Sequence, residues 1–531
     1  MNELLQTSLI WRLCAAIAAW FRTTALSRGI AAVGRLWRES GLYRFWARLL
    51  TAPSVTERSS YAGLLTRFNA ALYRFGSQHL MPAVRSSLAC RIYGAVLSYL
   101  RGSFFLGWLF AGGMTSVLLF IIAAYFPVDW LLRDVLQLTA LSSVWDEALM
   151  AFCFLWVLYR RAASAKPLRS AANTLDVWFG FYLLAGLVLL YYTVSHLGIN
   201  ITGYRASMQY ILLFYLVTRL IRDDADFKMM YCVMIAGATV FALHGLYQFV
   251  VGAEIPSTWT DQAETAVRTR AFSVFSNPNI FGAYMLLFAP MAIGAAYAAP
   301  TPAQKVLFWG CGIAMCAACL VTMSRGAWLA LAIAAVLFAL VIDRRLLALM
   351  LIGGIAACFL PFVRSRITYL FTPEFAESNA RGGRAKRWET ALGYLDDYGA
   401  WRCGLGYGIF GGAVAAQNPI NPALDYMYVD NYYVKILVEN GIAGLTSFLM
   451  TLAALLWNGL RACGRASKTP YKPLCMGMLA GLIGILVHSF FESLWEEPYM
   501  MALFFAVAGM MIYAGSVSYT HLRAHETEAD L

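Results

Sequence analysis

The sequence predicts an all-α polytopic membrane bundle of about twelve transmembrane helices with one large extracytoplasmic loop, and three observations predict it. The 531 residues are 60% hydrophobic and 13% charged, with a mean hydropathy of +0.62, whereas soluble domains carry roughly 25% charged residues. Apolar stretches recur at the length of about 20 residues that crosses a hydrocarbon core about 30 Å thick. Lys and Arg gather in alternate short connections, as they do on the cytoplasmic side of membrane proteins.

Taken in order, residues 1–103 form an Arg-rich lead, with about a dozen arginines against Glu3, Glu39 and Glu57. Arg44 and Arg48 interleave there with Trp37, Tyr43, Phe45, Trp46, Leu49 and Leu50 at near-helical spacing. That pattern suits helices lying on an anionic inner leaflet, or a basic cytoplasmic domain packed on the bundle. Membrane headgroups already supply the anions, so no nucleic-acid partner is expected. Residues 1–30 lack a small-residue cleavage site, so no removable signal peptide is expected either.

The spans follow near 104–126, 137–159, 174–195, 206–221, 229–251, 277–298, 306–323, 326–342, 346–363, 431–457, 473–494 and 498–516. The connections rich in Lys or Arg contain Arg160, Arg161, Lys166 and Arg169; Arg219, Arg222 and Lys228; Lys305; Arg344 and Arg345; and Arg461, Arg465, Lys468 and Lys472. They fall on one face, which makes both termini cytoplasmic and places residues 364–430 and Arg325 outside. Residues 104–516 are thus one transmembrane domain. Residues 517–531 are a polar tail that reads as foreign to it.

Eleven cysteines, spread mostly through the spans, give no disulfide framework. Cys316 and Cys319 make a C-x-x-C inside an apolar helix, where small soft side chains simply pack. In the loop, Trp388, Ala391, Leu392 and Leu395 at helical spacing predict an amphipathic helix over Arg384 to Asp396. Beyond it, Gly404-Leu-Gly406-Tyr-Gly408-Ile-Phe-Gly411 contains a literal G-x-G-x-x-G, but no strand precedes it and no ribose-binding acid follows. Those glycines are read as tight turns that let backbone approach a polar ligand.

Several polar groups converge on the outer mouth. Arg205 precedes the fourth span, Arg268 and Arg270 precede a Ser276-Asn277-Pro278-Asn279 turn, and Ser324-Arg325-Gly-Ala-Trp caps the seventh span. Guanidinium groups make bidentate bonds to phosphate, and arginines on the outer side run against the usual charge bias, so the set reads as a diphosphate site. Asn277 and Asn279, flanking a helix-breaking proline at membrane depth, line a pocket with Arg387. Asp430 stands where the loop re-enters the membrane. Glu439, further down, is read as an ion pair or cap within the bundle. His488 and Glu492, four apart, are read either as an acid–base pair or as a packed, satisfied histidine beside a carboxylate. His196 and His244 carry less.

The order Arg268-x-Arg270-x-Phe…Ser-Asn-Pro-Asn, Ser-Arg-Gly-Ala-Trp, Arg387-Trp388 ahead of Gly404-Leu-Gly-Tyr-Gly, and Asp430-Asn-Tyr-Tyr…Glu439-Asn-Gly-Ile-Ala-Gly resembles the O-antigen ligase and polymerase family of bacterial membrane glycosyltransferases. The resemblance runs from about Leu175 to Tyr513. It implies transfer of a glycan, without metal or cofactor, from an undecaprenyl-diphosphate carrier to an acceptor hydroxyl at the outer face of the bacterial inner membrane. Arg268, Arg270, Arg325 and Arg205 match its carrier-phosphate arginines. Catalytic candidates are Asp430, Arg325, His488 and Glu492. Many members that act on lipid A core carry histidine where this chain has Asp430, so the chain looks closer to members that build exopolysaccharide or cell-wall glycan. The implied partners are the lipid-linked glycan, an acceptor glycan or lipid, and membrane lipids. Two alternatives stand beside this one: oligosaccharide transfer to protein, and a lipid-glycan flippase. A flippase would favour internal repeats and midplane ion sites, which the sequence lacks.

Overall fold

The computed structural model describes residues 39–529 except 52–55, 57–58, 105, 169–171, 194–195, 257–268, 421–427 and 468, with six isolated positions before residue 39. Arg268 lies outside the described residues. Helices, and no strands, make up the regular structure of the described residues.

Among the described residues, seven helices are long and apolar enough to cross a membrane: Thr174–Tyr192, Asp224–Val251, Pro278–Ala298, Pro302–Val321, Tyr432–Arg465, Tyr471–His488 and Pro498–Val517. Two bent pairs raise the number to nine if each is one span, Met114–Ala123 with Tyr125–Val135 at 80° and Arg345–Cys358 with Pro361–Tyr369 at 85°. The expected twelve are therefore seven to nine by length and composition, and the shortfall has local causes. The expected 206–221 span is a ten-residue helix, Ile211–Leu220, preceded by Leu197–Met208. Arg325–Val341 is short at 17 residues. Trp145–Ala162 carries Asp146 and Glu147 in its first turn and Arg160 and Arg161 in its last. Pro361 opens a new helix, because a proline ring disfavours helical geometry at the residue before it.

Pro278–Ala298 is the centre of the bundle, buried along nearly all its length and packed on Pro302–Val321 and Tyr471–His488. Apolar helices gain nothing by leaving lipid for one another, so contact depends on close fit. Small residues supply it here. A Cβ on Gly477 would lie 2.6 Å from Pro290 O, and one on Gly481 would lie 2.3 Å from Leu287 O.

The basic connections meet at one end. Arg219 pairs with Asp176 at 2.8 Å and Arg222 with Asp226 at 2.7 Å. Tyr471 bonds Asp224, Tyr297 donates to Asp343 at 3.1 Å, and Lys472 donates to Val341 O at 3.3 Å. In the lead, Gly41–Thr51 packs on Tyr432–Arg465 and Ser60–Phe75 on Trp145–Ala162.

The opposite end carries the segment expected to be one large loop, and much of it is helical: Pro361–Tyr369, Pro373–Gly382, Arg384–Asp397 and Gly412–Gln417. The amphipathic helix expected from Arg384 is present. Its Ala391 and Leu395 join Phe410, Val429 and Val438 in a small core of their own.

The Tyr432–Arg465 helix breaks at Gly441, whose φ of 64° and ψ of −169° belong to a region open essentially to glycine alone. The loop fills the break. Leu405 N donates to Val438 O at 2.9 Å and Gly406 N to Glu439 O at 2.8 Å, while Ile442 N and Ala443 N donate to Trp401 O and Arg402 O at 2.8 and 3.1 Å. A Cβ on Gly441 would lie 2.4 Å from the Arg402 backbone. Gly441→Ala should therefore lower thermal stability in detergent, by about 1–3 kcal/mol from backbone strain alone. Gly63→Ala, on an exposed helical site with nothing within 4 Å, is the control and should be neutral or stabilising. Equal melting points for the two variants would contradict the filled break.

Candidate functional site

The loop-bearing end holds a cavity of about 670 Å³, lined by Arg270, Asn277, Asn279, Arg387, Asp430 and Glu492, together with Glu496 and Glu497. Asn277 caps the central helix, its Oδ1 accepting from Asn279 N at 2.8 Å and Ile280 N at 3.0 Å, with Pro278 at the first helical position. That cap turns the Asn279 side chain to a second task. Its Nδ2 donates to Glu492 Oε2 at 2.6 Å, its Oδ1 accepts from Arg270 Nη2 at 3.0 Å, and its carbonyl accepts from His488 Nε2 at 3.2 Å.

Arg270 is buried, and its Nε donates to Thr322 O at 2.9 Å. Arg366, also buried, donates from Nε and Nη2 to Met323 O at 3.1 and 2.8 Å. Two arginines thus hold the turn that precedes Arg325, where Met323 takes a φ of +58°. Arg325 itself lies outside the cavity lining. Its guanidinium stacks over Phe375 at 5.4 Å and Tyr369 at 6.0 Å, and Nη1 donates to Arg366 O at 3.4 Å.

Asp430, at a φ of +49°, faces two guanidinium groups: Arg387 Nη2 at 2.8 Å and Arg384 Nε at 3.7 Å from its Oδ2. Arg387 Nη1 donates to Tyr428 O at 2.8 Å, and Arg384 Nη2 to Phe491 O at 3.1 Å. The Nε of Arg387 is buried and makes no hydrogen bond. The arginine cluster therefore keeps donor capacity for an incoming anion.

Burial pushes the Glu492 carboxyl up to about 7, with the negative charge of Asp430 acting the same way, and the Asn279 bond and Arg384 opposing it. Burial likewise raises Glu497, whose Oε1 accepts from Ser276 Oγ at 3.1 Å. These shifts lower the negative charge that an anion would meet.

Not every candidate joins this group. His488 and Glu492 do not bond each other, because the helix ends at His488 and breaks the four-residue register. Asn279 holds both instead. The free Nδ1 of His488 makes no hydrogen bond and lies against Gly326, where a Cβ would come within 3.0 Å. Arg205 is not with Arg270: it pairs with Glu147 at 3.6 Å and lines a separate, smaller cavity. His244 Nδ1 meets Ser273 Oγ at 3.0 Å and supports the loop before Asn277.

Sequence reasoning missed Arg384 and Arg366 as site residues; its reading of Glu439 as an ion pair within the bundle holds, and Glu496 extends that pair into a buried triad. Lys435 Nζ lies 3.0 Å from Glu439 and 3.3 Å from Glu496, and donates to Phe410 O and Gly411 O at 3.1 and 3.0 Å. The Lys435–Glu439 spacing of four was a readable signal. The glycine motif serves this triad: Gly408 N donates to Glu439 Oε1 at 3.0 Å.

Comparison with protein families bears on these residues. Residues 310–449 match the O-antigen ligase family model. The chain carries an O-antigen ligase family domain. No curated protein matches the chain. The ligase-family segment includes Arg325, Arg384, Arg387, Asp430, Lys435 and Glu439, while Arg270, Asn279, His488 and Glu492 reach it from outside the match, Arg270 and Glu492 on connections and Asn279 and His488 on helices. The matched segment sits among apolar helices long enough to cross a membrane, and it supports a membrane ligase or polymerase in polysaccharide biosynthesis.

The double role of Asn279 is open to test. Asn279→Asp sets a second carboxyl against Glu492 in place of a donor. Below about pH 7, where Glu492 holds its proton, one of the two is protonated and can donate, so the variant should melt close to the native protein. As pH rises both must ionise, and the loss should grow to about 1–3 kcal/mol. A pH-independent difference in melting temperature between pH 5 and 8 would count against the Asn279–Glu492 bond.

Proposed function

We propose that the chain transfers a glycan from an undecaprenyl-diphosphate carrier to an acceptor hydroxyl, as a ligase or polymerase of surface polysaccharide, on the outer face of a bacterial inner membrane. The observation that carries the reading is the single cavity that gathers Arg270, Arg387, Asp430, Asn279 and Glu492 at the loop-bearing end. Arginine charge and fork geometry suit a diphosphate both as ligand and as leaving group.

In this reading Arg270 and Arg387 receive the diphosphate, with the undescribed Arg268 two residues from Arg270. Asp430 orients Arg384 and Arg387 until the anion arrives. Glu492 accepts the acceptor's proton. The acceptor oxygen attacks the anomeric carbon, the carbon–oxygen bond to phosphate breaks, and its electron pair leaves with the diphosphate. The hydroxyl proton passes to the Glu492 carboxylate. Its raised pKa suits it to this work, since a general base is most effective near the working pH. Arg325 supports the Pro361–Gly382 segment from beside the cavity, and His488 fixes the Asn279 carbonyl.

A base must be ionised before it takes a proton, so transfer should rise with pH through about 7. Glu492→Gln should flatten that rise and slow turnover by roughly 10²–10⁴-fold, with carrier binding kept. Asp430→Asn should weaken carrier binding and transfer together, since two arginines lose their orienting charge. Arg387→Ala should cost more than Arg325→Ala. Purified protein, undecaprenyl-diphosphate glycan and cell-derived acceptor supply the assay. Normal turnover by Glu492→Gln with an unchanged pH profile would remove Glu492 from the reaction, and normal turnover by Arg387→Ala would remove the cavity.

A further inference from the structure

A second cavity, of about 280 Å³, adjoins the first. Glu496 and Ala413 line both, so they form the partition between them. The partition is built with care. Lys435 holds Glu496 Oε1 at 3.3 Å, and Gly412, at a φ of +75°, leaves room for the carboxylate: a Cβ there would lie 2.2 Å from Oε2.

The lining of this second cavity alternates in sign. Asp146, Glu147, Glu439 and Glu496 offer acceptors, and Arg133, Arg205 and Lys435 offer donors. Ser142, Ser143, Ser207 and Gln209 do both, and Tyr432 and Trp495 add aromatic surface. Part of this is already committed: Asp146 accepts from Tyr210 at 2.6 Å and from Tyr125 at 3.1 Å, and Lys435 spends its three protons on Phe410 O, Gly411 O and Glu439. Part is open: Glu147 Oε2 is buried and accepts no hydrogen bond, and the Arg205–Glu147 pair at 3.6 Å is loose.

The three cationic side chains are each paired with a carboxylate, Arg133 with Asp129, Arg205 with Glu147 and Lys435 with Glu439 and Glu496, which leaves little charge for a phosphate, and their presence disfavours a bare metal ion. A hydroxyl both donates and accepts, so a neutral polyol satisfies such a wall better than either ion. The volume lies below the roughly 300–1,000 Å³ of drug-sized ligand pockets, which limits the occupant to about one sugar unit.

We infer that the smaller cavity seats the terminal sugar of the acceptor glycan, delivering its hydroxyl past Glu496 to the carrier held in the larger cavity. The inference rests on the glycosyl-transfer reading and reassigns Arg205 from carrier phosphate to acceptor sugar. Arg205 and Glu147 grip the sugar's hydroxyl groups.

The test uses the full chain in detergent micelles and two probes: undecaprenyl diphosphate, and the repeating-unit oligosaccharide released by mild acid from the source cells' surface polysaccharide. Saturation-transfer NMR reads the oligosaccharide, and thermophoresis reads undecaprenyl diphosphate. Glu147→Gln, which keeps the shape, and Ser143→Trp, which fills the cavity from an exposed position, should each weaken oligosaccharide binding by roughly tenfold or more. Both should bind undecaprenyl diphosphate as the native chain does. Oligosaccharide binding that is unchanged in both variants, or absent from a native chain that still binds undecaprenyl diphosphate, overturns the acceptor site and leaves glycosyl transfer standing. A native chain that binds neither probe overturns both.

Discussion

A broken helix inside a membrane protein must find partners for its orphaned backbone groups, and the break at Gly441 organises the whole loop-bearing end. Two carbonyls and two amides lose their helical partners there, and Trp401 to Gly406 supply all four replacements. Lipid offers no such partners, so the loop is as firmly required as any span. This fixes the loop's depth and brings the Phe410 and Gly411 carbonyls onto Lys435. Lys435 in turn holds Glu439 and Glu496. The partition between the two cavities is thus set by a backbone discontinuity rather than by side-chain packing alone.

A second constraint works through arginines used as clasps. Burying a guanidinium is tolerable only when its donors are met, and carbonyls at helix ends are acceptors in want of donors. Arg270 and Arg366 answer Thr322 and Met323 at the end of Pro302–Val321, joining the central helix and the Pro361–Tyr369 helix to one turn. Arginine is suited to this because its planar fork reaches two acceptors at once. Arg270 does so, bonding both Thr322 O and Asn279 Oδ1. An arginine at the loop-bearing end can therefore be anchored by the fold and still present charge to a cavity.

Local chemistry was legible in the sequence where neighbours in the chain do the work. Asn277-Pro278-Asn279 carries its own helix start, and the spacing of Trp388 to Leu395 carries its own apolar face. Both appear as read. What was not legible depends on residues distant in sequence. The pairing of Asp430 with Arg384 and Arg387 requires a helix to fold back over the point of re-entry, and no spacing encodes that. The span count misled for a related reason: hydropathy registers apolar stretches and not the bends at Ala124 and Leu360 that divide them. Nor does a four-residue interval guarantee a pair. His488 and Glu492 have the spacing, but the helix stops between them, and Asn279 takes both partners.

On the proposed reading, the placement of charge accounts for two cavities at this end. A diphosphate needs positive charge, and a sugar needs donors and acceptors in balance. Without a wall, Asp146, Glu147 and Glu439 would add their repulsion to that of the carboxylates already beside the phosphate. In low dielectric such repulsion reaches far, and separation by a wall with its own counter-charge is the economical remedy. Glu496 provides the wall and Lys435 the counter-charge, while Arg384 and Arg387 neutralise Asp430 on the other side. The triad buried beneath the glycine loop keeps opposed electrostatic environments apart. It therefore earns its desolvation cost at a place where an apolar substitute would pack as well but could not divide the charge.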